Sequence, residues 1–107
     1  MKAELLQRDR FDFDDGTILE MVIWRVPKSV RGSQHLYKYG LFYGRPRRRL
    51  VSYDNEEGDH RHADGREEHY RLIEVETLVR DFLADVARWR STCKRRQFES
   101  TETPTRR

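Results

Sequence analysis

The segment YDNEEGDHRH, residues 53–62, places a phenol, an amide, several carboxylates and two imidazoles within ten consecutive positions. Imidazole changes charge near neutral pH, so two histidines held together can offer a base and an acid to one reaction. His60 and His62 are two positions apart. In an extended chain side chains alternate with a period of two, which sends both rings to one side and Arg61 to the other. Such a pair suits cleavage of an RNA phosphodiester through its 2′-hydroxyl without metal or cofactor: the neutral ring removes the hydroxyl proton and the protonated ring supplies one to the leaving oxygen. Tyr53 and Asp54 would orient the imidazoles, so the candidate catalytic set is Tyr53, Asp54, His60 and His62. Lys38, Arg61 and Arg66 are the candidate contacts to phosphate as negative charge develops.

Plainer readings compete with this one. A polar loop with Asp, Glu, Gly and His can be merely solvated, and H-x-H alone has low specificity. Asp54, Asp59, His60 and His62 also offer nitrogen and oxygen ligands suited to zinc or manganese. No H-E-x-x-H and no cysteine pair accompanies them, so the reading adopted assigns no metal ligand.

Charge points to an anionic partner. The 107 residues are 36% hydrophobic and 38% charged with a net charge of +3, and the pI is about 9.2. The positive charge is concentrated in RPRRR (Arg45, Arg47, Arg48 and Arg49), in KRR at 94–96 and in Arg106 and Arg107. Four arginines in five positions exceed what solubility needs and suit nucleic acid, RNA above all, or an acidic protein. A single cysteine, Cys93, allows no intrachain disulfide, and the N-terminus breaks into charge before any signal-like apolar stretch. The expectation is a cytoplasmic protein with no membrane association, since no apolar run approaches the roughly 20 residues that span a bilayer.

The elements that must position these groups follow from periodicity. Residues 3–13 read as a first strand ending at Asp14, Asp15 and Gly16, a tight-turn signal. Residues 17–26 form a second strand that stops at Pro27. After a polar loop at 27–34, residues 35–43 alternate, with Tyr37, Tyr39, Leu41 and Tyr43 toward the core and Lys38 away from it. Gly44, Arg45 and Pro46 turn the chain into a fourth strand at 49–54. Residues 55–68 read as a long loop and 68–74 as a short fifth strand, with His69 and Tyr70 at its start. Val75, Leu78, Val79, Phe82, Leu83, Val86 and Trp89 then recur at helical spacing, with Arg80, Asp81, Asp85 and Arg88 off the stripe. The fold class predicted is α+β: an antiparallel β-meander of four to five strands packed on one C-terminal amphipathic helix. Residues 1–92 form the single domain and 93–107 a basic, disordered tail. Trp24 and Trp89 are expected in the core, and His35 has no evident partner.

In order and spacing, MKAELLQRDRF, EMVIWRVP, HLYKYGLFY, YDNEEGDHRH and REEHYRLIEVETLVRDFLADV resemble the TumE-type toxins of toxin–antitoxin modules. The resemblance covers residues 2–86, and its most specific parts are YKY, YDN and DHRH. The family pattern falls on Tyr37, Lys38, Tyr39, Tyr53, Asp54, Asn55, His60, His62, Glu68 and Tyr70. It implies a toxin of a type II module held inactive by a cognate helix-turn-helix antitoxin. A long, aromatic edge at 35–43 could accept an antitoxin strand, and helix-in-groove binding is equally allowed. Between YDN and DHRH members often carry a basic residue, whereas this chain has Glu56 and Glu57, two acids that would repel phosphate. The function expected is a toxin acting on RNA as a metal-free ribonuclease. The alternative is a non-catalytic module that binds nucleic acid or protein through its basic surface.

Overall fold

The computed structural model of the chain describes residues 2–56, 58–63 and 65–101, with side chains described as far as Ser91. Six strands form one antiparallel sheet in sequence order: β1 (Glu4–Asp12), β2 (Ile18–Arg25), β3 (Tyr37–Arg45), β4 (Arg48–Asp54), β5 (His60–Ala63) and β6 (Arg66–His69). A helix, α1 (Val75–Thr101), follows and packs across one face. The predicted α+β meander with one C-terminal helix is the architecture observed, with six strands in place of four to five.

The turns obey local chemistry. At the β1–β2 connection Gly16 takes a φ of 88°, which a glycine adopts without a Cβ penalty. The Asp15 carboxylate accepts from the Thr17 amide (3.0 Å) and hydroxyl (2.6 Å). Those bonds hold the Asp15 carboxyl below its ordinary range. In the β3–β4 hairpin a Cβ on Gly44 would stand 2.3 Å from the Arg48 carbonyl oxygen. No larger residue fits there without a shift of the backbone.

The core lies between the sheet and α1. Leu19, Met21 and Ile23 of β2, Tyr39, Leu41 and Tyr43 of β3, and Val51 and Tyr53 of β4 meet Leu78, Phe82 and Val86 of the helix. Ile23, Tyr43, Leu78 and Phe82 are wholly buried. Of the expected helical stripe Leu83 is exposed instead, while Asp85, expected toward solvent, is buried. The reason for the second is tertiary, because Asp85 meets partners on β4 and β5. Tyr37, expected in the core, is half-buried at the start of β3, and β3, expected as an edge, is an interior strand paired with β2 on one side and β4 on the other.

Two further differences concern residues 55–74. The stretch read as a long loop contains a hairpin, β5 and β6, with Gly65 at a φ of 74° in its turn. The fifth strand expected at 68–74 is displaced to Arg66–His69 and becomes the sixth. The HRHA of β5 carries no apolar alternation, and it is extended because its backbone pairs with β4. The helix is described through Thr101. The tail expected from residue 93 lies outside the residues with described side chains.

Candidate active site

Residues directly opposite one another in an antiparallel sheet share a face, so the register sorts the polar groups of residues 53–69. Tyr53 pairs with Arg61 and Arg61 with Glu68, and this row faces the helix. Asp54 pairs with His60, Ser52 with His62, and His62 with Glu67, and these rows face the side that carries no helix.

On the helix face the Tyr53 hydroxyl donates to Asp85 Oδ2 at 2.5 Å, and Arg61 Nε donates to the same oxygen at 2.8 Å. Arg61 also bonds Glu68, and Arg88 reaches Asp85 from the next turn of the helix. Burial alone would raise the Asp85 carboxyl, but the hydrogen bonds from Arg61 and Tyr53 and the charges of Arg61 and Arg88 outweigh it and hold the group below its ordinary range. The Tyr53 phenol moves upward, through burial and then through its bond to the carboxylate. The Arg61 guanidinium is likewise pushed up, through its bond to Asp85. Tyr53, expected to orient the histidines, and Arg61, expected at phosphate, therefore lie on the other side of the sheet from the imidazoles. Arg66 pairs with Ala63 and stands on that side too, exposed.

On the open face the two imidazoles meet edge to face with ring centroids 5.4 Å apart. Both are partly buried. His60 Nδ1 donates to the Gly58 carbonyl oxygen at 3.0 Å. A carbonyl only accepts, so this nitrogen carries a proton and Nε2 is the atom turned to the site. That Nε2 lies 3.2 Å from Asp54 Oδ1 and 3.6 Å from Glu67 Oε2. His62 Nε2 lies 3.6 Å from the same Glu67 oxygen. Asp54, His60 and His62 are thus brought together as expected. Glu67 joins them, a residue that sequence reading missed; a hairpin centred on Gly65 would have placed it opposite His62.

Next to these groups Val22, Trp24, Lys38, Gly40, Asp54 and Glu56 line a shallow depression of about 320 Å³. Gly40 stands between Val22 and Asp54 in the register, and open space lies where its Cβ would be. Its missing side chain is what leaves the hollow. Trp24, expected in the core, is half-buried and lines this hollow instead. Lys38 is exposed at its rim, so one cation expected at phosphate shares the face of the histidines. Glu56 is described and exposed, whereas Glu57 lies outside the described residues.

The arginines Arg45, Arg47, Arg48 and Arg49 are exposed at the tip of the β3–β4 hairpin. Arg48 is six residues along β4 from Asp54, roughly 20 Å at the rise of a strand. They form a separate cationic end, not part of the histidine cluster.

Asp59, grouped with the histidines only in the competing metal reading, is turned away. It is buried and accepts from the Ser33 hydroxyl at 2.5 Å, and its other oxygen lies 2.7 Å from His35 Nε2. Asn55, fully buried, accepts from the Tyr39 amide (3.1 Å) and donates to the Tyr37 carbonyl (2.7 Å) and to Ser33 Oγ (3.2 Å). His35, Asn55 and Asp59 therefore clip the 26–36 loop to the chain entering β5. The same stretch of chain supplies the Gly58 carbonyl that orients His60. Among the described residues the group of donors that could hold a metal is His60, His62 and Glu67.

No helix among the described residues is long and apolar enough to cross a membrane. No curated protein and no solved structure matches the chain. The family described as Toxin TumE matches residues 2–90, which includes the whole sheet and the helix as far as Arg90. The match covers every residue of the open-face cluster and its helix-side counterpart, and the chain belongs to the TumE toxin family.

Proposed function

We propose that this toxin belongs to a type II module, with a helix-turn-helix antitoxin as its partner, and that it cleaves RNA by acid–base transfer between His60 and His62. The observation that carries the reading is the open-face pair itself: two imidazoles 5.4 Å apart, one with its Nε2 beside Asp54. One ring takes the 2′-hydroxyl proton, the hydroxyl oxygen attacks phosphorus, and the other ring protonates the departing 5′-oxygen, so a 2′,3′-cyclic phosphate results. Asp54 orients His60 through the contact of its Oδ1 with Nε2 at 3.2 Å. Lys38 faces the developing phosphorane charge from the rim of the hollow. The four tip arginines bind the flanking strand through its phosphates, outside the reacting centre.

The test is expression without antitoxin, with cleavage of a defined RNA by purified protein. His60→Ala and His62→Ala should each relieve toxicity while circular dichroism and the thermal midpoint stay near wild type. A substrate with a 2′-deoxy nucleotide at the cleaved position should resist. Undiminished cleavage of the 2′-deoxy substrate, or full toxicity of both histidine variants, would remove this chemistry.

The exposed arginine tip favours a second reading, a non-catalytic module that grips nucleic acid. In that case binding is salt-sensitive, no product forms, and charge reversal at Arg47, Arg48 and Arg49 weakens binding more than histidine substitution does.

A further inference from the structure

We propose that His60, His62 and Glu67 form a site for a divalent transition-metal ion of the zinc type, and that an ion bound there silences the acid–base centre. The donor atoms are His60 Nε2, His62 Nε2 and Glu67 Oε2, all within 4.8 Å of one another. The carboxylate oxygen is 3.6 Å from each imidazole nitrogen. Ligands at 2.0 to 2.1 Å from a tetrahedral zinc stand about 3.3 Å apart, so the two carboxylate–imidazole distances need close by only a few tenths of an ångström, and the two imidazole nitrogens, within 4.8 Å of each other, by about 1.5 Å at most. The remaining position opens to solvent, because no element packs on this side of β5 and β6 among the described residues.

The supporting geometry is that of a ligand set and not of a chance meeting. Both histidines come from one strand at alternate positions, and Glu67 comes from the adjoining strand, opposite His62. A hairpin only four residues long on each side fixes all three backbones. His60 already donates its other nitrogen to the Gly58 carbonyl, which is the outer bond that orients a metal-binding imidazole. At the position opposite His62 on β4, Ser52 carries a buried hydroxyl without a hydrogen-bond partner among the described residues. Two imidazoles with one carboxylate suit zinc and its first-row neighbours. The set lacks the thiolates that copper(I) prefers and the all-oxygen shell that calcium or magnesium takes.

Glu67 has no part in the acid–base reading, so the ion gives this residue a role of its own. The silencing rests on the proposed function, because an ion would occupy the Nε2 lone pairs through which the rings work. The binding itself does not rest on it.

Tag-free full-length protein titrated with zinc chloride in a calorimeter tests the site, with cobalt(II) absorption reporting the coordination number. One ion per chain is expected, and Glu67→Ala, Glu67→Gln and His62→Ala should each weaken binding at least tenfold. Equal affinity in wild type and in the His60→Ala/His62→Ala double variant, or no effect of Glu67→Ala, would overturn the site. Added zinc should abolish RNA cleavage by wild type and spare Glu67→Ala, which keeps both histidines. Zinc that activates wild type would overturn the silencing, and the acid–base reading with it, while the site stands. Protein that binds zinc as expected but cleaves no RNA under any condition would overturn the acid–base reading, and the silencing with it, while the site stands.

Discussion

Arg61 is chemically bonded to both His60 and His62 and shares almost nothing else with them. The guanidinium of Arg61 is clasped by Asp85 of the helix and stands near the Tyr53 ring, with its carbon 6.0 Å from the ring centroid. The two imidazoles project through the other face, where the sheet has no covering layer among the described residues and the nearby groups are carboxylates and a lysine. The same split divides Tyr53 from Asp54 on the neighbouring strand. On the covered face Tyr53, Arg61 and Asp85 satisfy one another, as burial demands. The open face gathers both Nε2 atoms beside the carboxylates of Asp54 and Glu67 and keeps Lys38 exposed at the rim of the hollow. A pleated strand thus lets one short segment brace the fold with its odd residue and present chemistry with its even ones.

Substitutions on the two faces should separate cleanly, and the largest effect belongs to the open face. His60→Ala and His62→Ala should each lower RNA cleavage by about 10²- to 10⁴-fold, the usual range for loss of a general acid or base. Their urea midpoints should stay close to wild type. Unfolding of these variants under the same conditions would erase the contrast between the faces.

Asp85→Asn makes the converse test. It removes the buried carboxylate partner of Arg61, leaving only the exposed Glu68, and should destabilise the fold by about 3 kcal/mol, read from urea unfolding. The sign of its pH dependence follows from the lowered Asp85 carboxyl. A group whose folded value is depressed stabilises the fold above its unfolded value, near pH 4, and that contribution fades as pH falls through the folded value. Wild type should therefore lose stability below about pH 4 more steeply than Asp85→Asn. Equal acid slopes would show that the carboxylate is not the group responsible. Tyr53→Phe should cost less, about 1 kcal/mol, since it removes one hydrogen bond and keeps the ring packing.

Filling the hollow sharpens the picture of the open face. Gly40→Val adds a side chain where nothing lies within 4 Å, so stability should change little. Affinity for an RNA substrate should fall roughly tenfold as the added methyls exclude it, a change of about 1.4 kcal/mol. An unchanged KM would place the substrate elsewhere on the face. The smallest effect per residue is expected at the distant tip. Replacing Arg47, Arg48 or Arg49 by Gln should weaken RNA binding and lower the dependence of log affinity on log salt by about 0.7 for each phosphate that is no longer neutralised.

The contrast also explains what could be read in advance. Strands β2, β3 and β4 and the first half of α1 carry dense apolar periodicity, because each buries one side against the other layer. Their order, the turn at Gly16 and the direction of His60 and His62 were legible for that reason. β5 and β6 were not, since HRHA and REEH hold no apolar alternation and become strands through backbone pairing to β4 and to each other. With the hairpin unseen, Glu67 could not be matched to His62. Asp85 was assigned to solvent because helical spacing says where a residue points and not whether a cation waits there. Trp24 was assigned to the core because size and apolarity favour burial, yet its place in β2 puts it on the uncovered side.

From sequence alone, then, came the strands with a buried face, the amphipathic helix and the pairing of His60 with His62 on one side, all consequences of local periodicity. Only the tertiary structure decided which segments would meet across the sheet and beneath the helix, and in what register. That choice sent Tyr53 and Arg61 to Asp85, turned Asp59 toward Ser33 and His35, and brought Glu67 from a separate strand to the histidines. The physical reason is that each of these contacts joins residues from different strands, from a strand and a loop, or from a strand and the helix, and a local pattern carries no information about which segments will meet.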